Sequence, residues 1–309
     1  LEHQTELKKS LLAPVALFAY NRPENLARTL DALARNELAT ATELVIFCDG
    51  AKPNSLENTL KNIENVRELA FLETKKHRFA NVVLRLQDSN LGLATAIISG
   101  VTELCKSHGR VIVLEDDLTT SPYFLRFMND SLDLYAQESK VLSIGACNYF
   151  ANKNTFPETF FTPVPDCWGW ATWEDRWQLF EPDSKKLLQA LEDKNLLEAF
   201  NLEGAYDFRR MLIGHIEGRV SSWAVRWFAV SLLNDKLNLY PNPSLTHHIA
   251  GKGATHAIEN VTPPMAQRPI LVESIPLEIR SDVYQGLRKA YRWQQSLANK
   301  ILVKLKSWF

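Results

Sequence analysis

Three consecutive carboxylates, Glu115, Asp116 and Asp117, stand directly behind the apolar run Val111-Ile-Val-Leu114. Like charges held this close are unfavourable unless a cation or several donors compensate them. A divalent metal bridging a diphosphate supplies that compensation. Hard carboxylate oxygens suit Mn2+ or Mg2+, which would act as a Lewis acid on a departing diphosphate. The plainer alternative is that the acids favour the positive end of the next helix. The pair Ser121-Pro122 already gives that helix a start, with Ser121 as a natural N-cap and Pro122 in the first turn.

Further groups with chemical potential lie along the chain. Asn21-Arg22 offers donors to a phosphate or base, or is a solvated loop. Asp49-Gly50 is either a turn or an acceptor for ribose or nucleobase. Asn90-Leu-Gly92 opens a helix but matches neither glycine-rich phosphate loop. Cys167-Trp168-Gly169-Trp170-Ala-Thr-Trp173-Glu174-Asp175 is dense in rings that fill cores and also stack on sugar faces; Gly169 would let a ligand approach the backbone. The stretch Ser244 to His256 combines His247, His248, Gly251, Lys252 and Gly253, the chemistry of a loop closing on a diphosphate or of a polar surface loop. No nearby cysteine or HExxH pattern completes a zinc site there.

Positioning such groups requires a scaffold, and the first half alternates short apolar runs with helical periodicity, the signature of βαβ units. Strands are predicted at 14–20, 43–48, 81–86, 110–114 and 141–145, and helices at 23–35, 56–76, 91–107 and 121–137. The fold class is therefore α/β, a mostly parallel Rossmann-like sheet flanked by helices. Asn21-Arg22, Asp49-Gly50, Asp88-Ser89-Asn90 and Glu115 to Asp117 all follow the carboxyl ends of strands, where open α/β sheets bind ligands. All eight tryptophans fall between Trp168 and Trp308, which assigns the second half to the acceptor side. A proline-rich stretch, 262–276, precedes a basic amphipathic helix carrying Trp293, Leu297, Ile301, Leu305 and Trp308 on one face. That helix either packs on protein or touches a membrane surface, and residues 288–309 are the candidate contact.

The 309 residues carry 35 basic and 36 acidic side chains, a formal charge of -1, so no overall field draws the chain to nucleic acid. Cys48, Cys105, Cys147 and Cys167 form no CxxC pair and sit mostly in apolar segments, as thiols of a reducing compartment do. Leu1 to Ser10 lack an apolar signal core, and no apolar span is long enough to cross a bilayer. The expectation is a cytoplasmic protein, in peripheral contact with the inner membrane face if the helix serves there.

From Pro14 to His256 these pieces resemble, in order, the GT-A glycosyltransferases. More narrowly they are similar to the group containing the Golgi N-acetylglucosaminyltransferase that initiates complex N-glycans and to its bacterial, family 2-like GT-A relatives. The carriers are Pro14 to Arg22, the Asp49 turn, Val113-Leu-Glu-Asp-Asp117-Leu-Thr-Thr-Ser-Pro122, Gly169-Trp170 and the 251–256 loop. The resemblance implies a GT-A domain over 11–257, with a nucleotide-sugar half at 11–145 and an acceptor half with the donor loop at 146–257. Residues 258–309 would be a C-terminal extension. It further implies that Arg22 and Asp49 hold the nucleotide, most often UDP, that Asp116 faces the donor ribose or sugar, and that Asp117 ligates the metal. Asn21, Asn90, Glu115, Gly169, Trp170, Lys252 and His256 join the donor set; Trp168, Trp223 and Arg226 join the acceptor set.

The expected reaction moves a hexose or N-acetylhexosamine, with inversion, to a hydroxyl of a surface glycan or lipid-linked oligosaccharide. One departure affects mechanism. The Golgi N-acetylglucosaminyltransferase that the chain resembles carries a general-base carboxylate in an aromatic-rich helix, where this chain reads Ser221-Ser-Trp223-Ala-Val-Arg226-Trp227. Glu174 and Asp175 are the nearest substitutes in sequence, followed by Asp166 and Asp207. Two competing functions remain open. A sugar-phosphate nucleotidyltransferase would carry a glycine-rich, Arg-containing loop where Ala19 to Pro23 stands, and a catalytically silent glycan-binding scaffold would explain the missing carboxylate.

Overall fold

The computed structural model describes residues 12–148, 156–249 and 265–296. The apolar runs of the first half become parallel neighbours: β1 (Val15–Ala19), β2 (Glu43–Cys48), β3 (Asn81–Leu86) and β4 (Arg110–Glu115). They are joined by α1 (Pro23–Ala34), α2 (Glu57–Glu73) and α3 (Leu93–His108). Strands covered on both faces read as continuous apolar runs, and every residue of β1 is buried. Val15, Leu17 and Ala19 enter the layer built with α1, and Ala16 and Phe18 enter the opposite layer built with α3. That is the two-residue period of a strand.

After β4 the chain makes the short β5 (Leu118–Thr120), α4 (Phe124–Leu134) and β6 (Val141–Gly145). Then follow β7 (Thr159–Thr162), β8 (Trp170–Trp173), α5 (Glu174–Trp177), α6 (Ser184–Asp193), α7 (Leu197–Phe200), α8 (Phe208–Ile216) and α9 (Ala224–Leu233). The domain ends with β9 (Leu237–Pro241), β10 (Thr246–His248) and α10 (Ser281–Gln295). The main sheet has eight strands in the order β3-β2-β1-β4-β8-β6-β9-β7. Most of its pairings are parallel, but β8 is inserted antiparallel between β4 and β6. Strands β5 and β10 form a separate antiparallel ribbon.

From β1 the chain builds outward through β2 and β3, then returns to place β4 on the other side of β1. This reversal opens a crevice at the carboxyl ends of β1 and β4, the place where open α/β sheets take ligands.

Helix α4 begins later than its sequence pattern predicts. Ser121 donates its N–H to Leu245 O (2.8 Å) and its hydroxyl to Ala266 O (2.8 Å), so it ties two distant segments together rather than capping a helix. The C-terminal segment is also more integrated than an appendage. Ala266 and Ile270 are buried in the α1 layer, and α10 buries Val283, Leu287 and Tyr291 against the opposite one. Arg288 pairs with Glu203 (2.7 Å) and donates to Leu202 O, so the first part of the proposed membrane-contact segment packs on its own domain. Leu297, Ile301, Leu305 and Trp308 lie outside the described residues. Among the described residues no helix is long and apolar enough to cross a membrane.

Candidate functional site

At the crevice, the turn after β1 meets the turn after β4. Asp116 is fixed at both ends: its N–H donates to Phe18 O (2.9 Å) and its carbonyl accepts from Thr29 Oγ1 (2.9 Å). Its carboxylate accepts from Tyr20 N–H (3.2 Å) and pairs with one guanidinium nitrogen of Arg22. The other terminal nitrogen, Nη1, donates to Asp117 Oδ2 at 2.7 Å. The β5–β10 ribbon supplies a third partner, because His248 Nε2 lies 3.1 Å from the same Asp117 oxygen. Ile249 N–H donates to Asp117 O, which locks the ribbon to the acidic turn.

Electrostatics separates the three acids. Burial, followed by repulsion from Asp117 and Asp116, pushes Glu115 up to about 8. Burial pushes Asp116 up to about 6, with Arg22 opposing. Asp117 goes the other way: burial would raise it, but the His248 hydrogen bond and Arg22 together hold it below the ordinary aspartate range. Arg22 is pulled down by burial but raised overall by Asp116 and Asp117. Asp117 is thus the acid of the three whose ionised form the surroundings favour most.

A second carboxylate organises the neighbouring turn. Asp49, after β2, accepts from Gly50 N–H (2.9 Å) and Leu91 N–H (2.8 Å) on Oδ1. On Oδ2 it accepts from Asn90 Nδ2 (2.8 Å) and Gly92 N–H (3.1 Å). Four donors occupy the sites a carboxylate offers. Asp49 thereby clamps the entrance to α3, with Asn90 as part of the clamp, and both residues also line the cavity.

These turns floor a cavity of about 750 Å³, within the range of ligand sites. Asn21, Arg22, Asp49, Lys52, Asn90 and Glu115 to Asp117, from the strand-end turns, line it. Trp168, Met211, His248 and residues 219–224, which lead into α9, line it as well. Ser221, Ser222 and Trp223 line the cavity, and no carboxylate stands among them.

Several expected residues are elsewhere. Trp170 is only 1% exposed and stacks on Trp223 at 4.9 Å, so it is core rather than a donor contact. Trp223 itself contributes a wall, backed by that stack. Gly169 has φ +92, and a Cβ there would meet Thr246 Cγ2 at 2.8 Å, so packing of the β10 ribbon demands the glycine, not a sugar. Arg226 is buried, donates to Pro182 O and Ser222 O, and lies over Phe180; it does not line the cavity.

Glu174 and Asp175 are displaced furthest. Strand β8 runs antiparallel to β4, pairing Trp170 with Val113 and Trp173 with Arg110. It therefore carries the chain to the amino end of β4, where Glu174 stands opposite Gly109, and six residues at about 3.3 Å each put it roughly 20 Å from the acidic turn. Glu174 N–H donates to Gly109 O, and Asp175 is engaged by Arg176 at 2.6 Å. Neither is available as a base in the cavity. Asp166 is a buried clamp for the Trp168 turn, accepting from Ala146, Cys147 and Trp168 N–H, and Asp207 caps α8. Lys252 and His256 lie outside the described residues.

His248 was absent from the expected set, although His247-His248 was visible in the sequence. Its reach to Asp117 depends on the pairing of β10 with β5, which no local signal encodes. Among the described residues no group of three or more His, Cys, Asp or Glu side chains is arranged to hold a metal. The donor set, one carboxylate and one imidazole, nevertheless fits a borderline cation such as Mn2+ better than Mg2+, with a diphosphate and water to complete the shell.

No protein-family model matches the chain, and no curated protein matches it. Among solved structures it is similar to a crystal structure of GalNAc-T7 with UDP, GalNAc and Mn2+, at TM-score 0.47 and 11% identity over 77% of this chain and 44% of that one. It is also similar to a crystal structure of S. aureus TarS, at TM-score 0.41 and 12% identity over 77% of this chain and 37% of that one. The chain spans less than half the length of either.

Proposed function

We propose that this chain is a metal-dependent GT-A-type glycosyltransferase, moving a sugar from a nucleotide diphosphate, with UDP favoured, to a hydroxyl of a glycan or lipid-linked oligosaccharide. The observation that carries the reading is the Arg22–Asp116–Asp117–His248 cluster on the floor of a large cavity at the point where strand order reverses. Asp117 and His248 would hold Mn2+ or Mg2+, which when bound supplies charge compensation for a departing diphosphate. Arg22 and Lys52 add positive charge on the donor side. Asp49 and Asn90 fix the turn that borders the nucleotide end, and Trp168 with the 219–224 segment shapes the acceptor end.

One observation favours a particular stereochemical course. All carboxylates lining the cavity among the described residues, Asp49 and Glu115 to Asp117, sit on the donor side. The acceptor wall offers hydroxyls instead. This supports a transfer in which the acceptor hydroxyl approaches on the face from which the diphosphate departs, the bond to the diphosphate breaking as the new bond to the anomeric carbon forms, and a departing phosphate oxygen takes the proton. Same-face attack retains configuration, whereas the inversion expected from the sequence needs a base on the opposite face, and the anomeric coupling of the product by NMR decides it.

The reading is tested by thermal unfolding with a panel of nucleotide sugars, with and without Mn2+. A donor at a hundredfold its Kd stabilises by about 2.7 kcal/mol, a shift of several degrees. Stabilisation by a UDP-sugar that requires Mn2+ is the expected result. Indifference to every nucleotide sugar would contradict it and favour the scaffold alternative.

A further inference from the structure

Arg22 occupies the ground that a divalent cation would need. Its Nη1 takes Asp117 Oδ2 at 2.7 Å, the oxygen that also meets His248, while its other arm holds Asp116. Its side chain is 28% exposed, whereas those of Asp116 and Asp117 are 2% and 11% exposed. The guanidinium is the more exposed partner, and the acids are the more buried ones. Asp116 is held by backbone on both sides, and Asp117 is anchored through Ile249 N–H.

We propose that Arg22 is a resident counter-cation that competes with the metal for Asp117 and releases it when a nucleoside diphosphate arrives. The proposal rests on the metal reading of Asp117 given above. In the free protein the guanidinium neutralises the acidic turn, so a cation entering alone must break an ion pair and share the site with a positive group. A diphosphate changes the balance, because it offers Arg22 a bidentate anion and supplies oxygens to the cation. Metal and diphosphate then favour each other's binding, and by linkage the coupling is reciprocal. Charge is exchanged between partners rather than stranded, which matters at a site this buried.

The test is Mn2+ titration of the full chain, followed by the EPR signal of free Mn2+, with and without UDP. Wild type is compared with Arg22→Gln, Arg22→Lys and Asp117→Asn. Without UDP, Arg22→Gln is expected to bind Mn2+ about tenfold more tightly than wild type, and the gain produced by UDP should shrink correspondingly. Arg22→Lys keeps the charge but loses the fork, and guards against misfolding of the glutamine variant. It should shift in the same direction by less.

Melting temperature gives a second readout: Mn2+ alone should raise that of Arg22→Gln more than that of wild type. Unchanged or weaker Mn2+ binding in both Arg22 variants, with wild type still binding through Asp117 when UDP is present, overturns the exchange while leaving the metal site standing. Mn2+ binding in the presence of UDP that is indifferent to Asp117→Asn overturns the metal reading, and the exchange with it.

Discussion

His248 Nε2 lies 3.1 Å from Asp117 Oδ2, across 131 positions of sequence. The contact exists because β10 pairs with β5, the three-residue strand that starts immediately after Asp117. As ligand or as orienting partner, His248 sets how Asp117 presents its oxygens. Replacing it with alanine is expected to weaken Mn2+ binding in the presence of UDP about 10- to 100-fold. Titration against free Mn2+ measures this, and unchanged affinity would make the histidine a bystander.

The Asp49 clamp predicts a defect of structure more than of chemistry. In Asp49→Asn an amide NH2 replaces an oxygen that accepts from Asn90 and Gly92 or from Gly50 and Leu91. Donor then faces donor, at a cost of about 1–3 kcal/mol. Thermal unfolding should show a fall of several degrees, accompanied by a raised KM for the donor. A variant with unaltered melting would refute the clamp.

Asp166 gives a pH signature. Burial pushes its carboxyl up to about 6, against its backbone hydrogen bonds, above the roughly 3.9 of an unfolded aspartate. The folded state therefore binds that proton more tightly. The stabilising contribution is complete below about pH 4 and is lost as pH rises through about 6. Relative to Asp166→Asn, wild type should gain about 1 kcal/mol between about pH 7.5 and about pH 5. Urea unfolding of both proteins at the two pH values reads the difference, and a gap that narrows on acidification would contradict the assignment.

Glu174 should be dispensable for catalysis. It starts α5 at the amino end of β4, remote from the acidic turn. Glu174→Gln is expected to keep kcat/KM within about twofold of wild type, as surface substitutions away from a site usually do. A loss of a hundredfold or more would return the base to this residue.

The contrast between Asp117 and Glu174 shows what a sequence conveys. Mainly apolar runs bounded by polar turns define strands locally, so β2, β3 and β6 begin and end where their sequence patterns do. Polar residues behind such strands fall on one edge, which made Arg22 and Glu115 to Asp117 legible as a group. Strand partners are different, since pairing is decided by tertiary packing. The ring-dense stretch from Cys167 to Asp175 gives no strand in the sequence pattern, yet Trp170 to Trp173 is an antiparallel strand that carries Glu174 to the opposite edge within four residues. Closeness to Trp168 in sequence was no guide to closeness in space. His248 was hidden for the same reason, its contact with Asp117 being a consequence of one long-range ribbon.

The central claim is that Asp117 anchors the metal and diphosphate of a sugar donor. Hydrolysis or transfer of a UDP-sugar in Mn2+, compared between wild type and Asp117→Ala with folding checked by circular dichroism, tests it most directly. Mn2+-dependent turnover is expected in wild type, with a loss of at least about a hundredfold in a folded Asp117→Ala protein. Turnover that survives the substitution, or that is the same with chelator as with Mn2+, would contradict it.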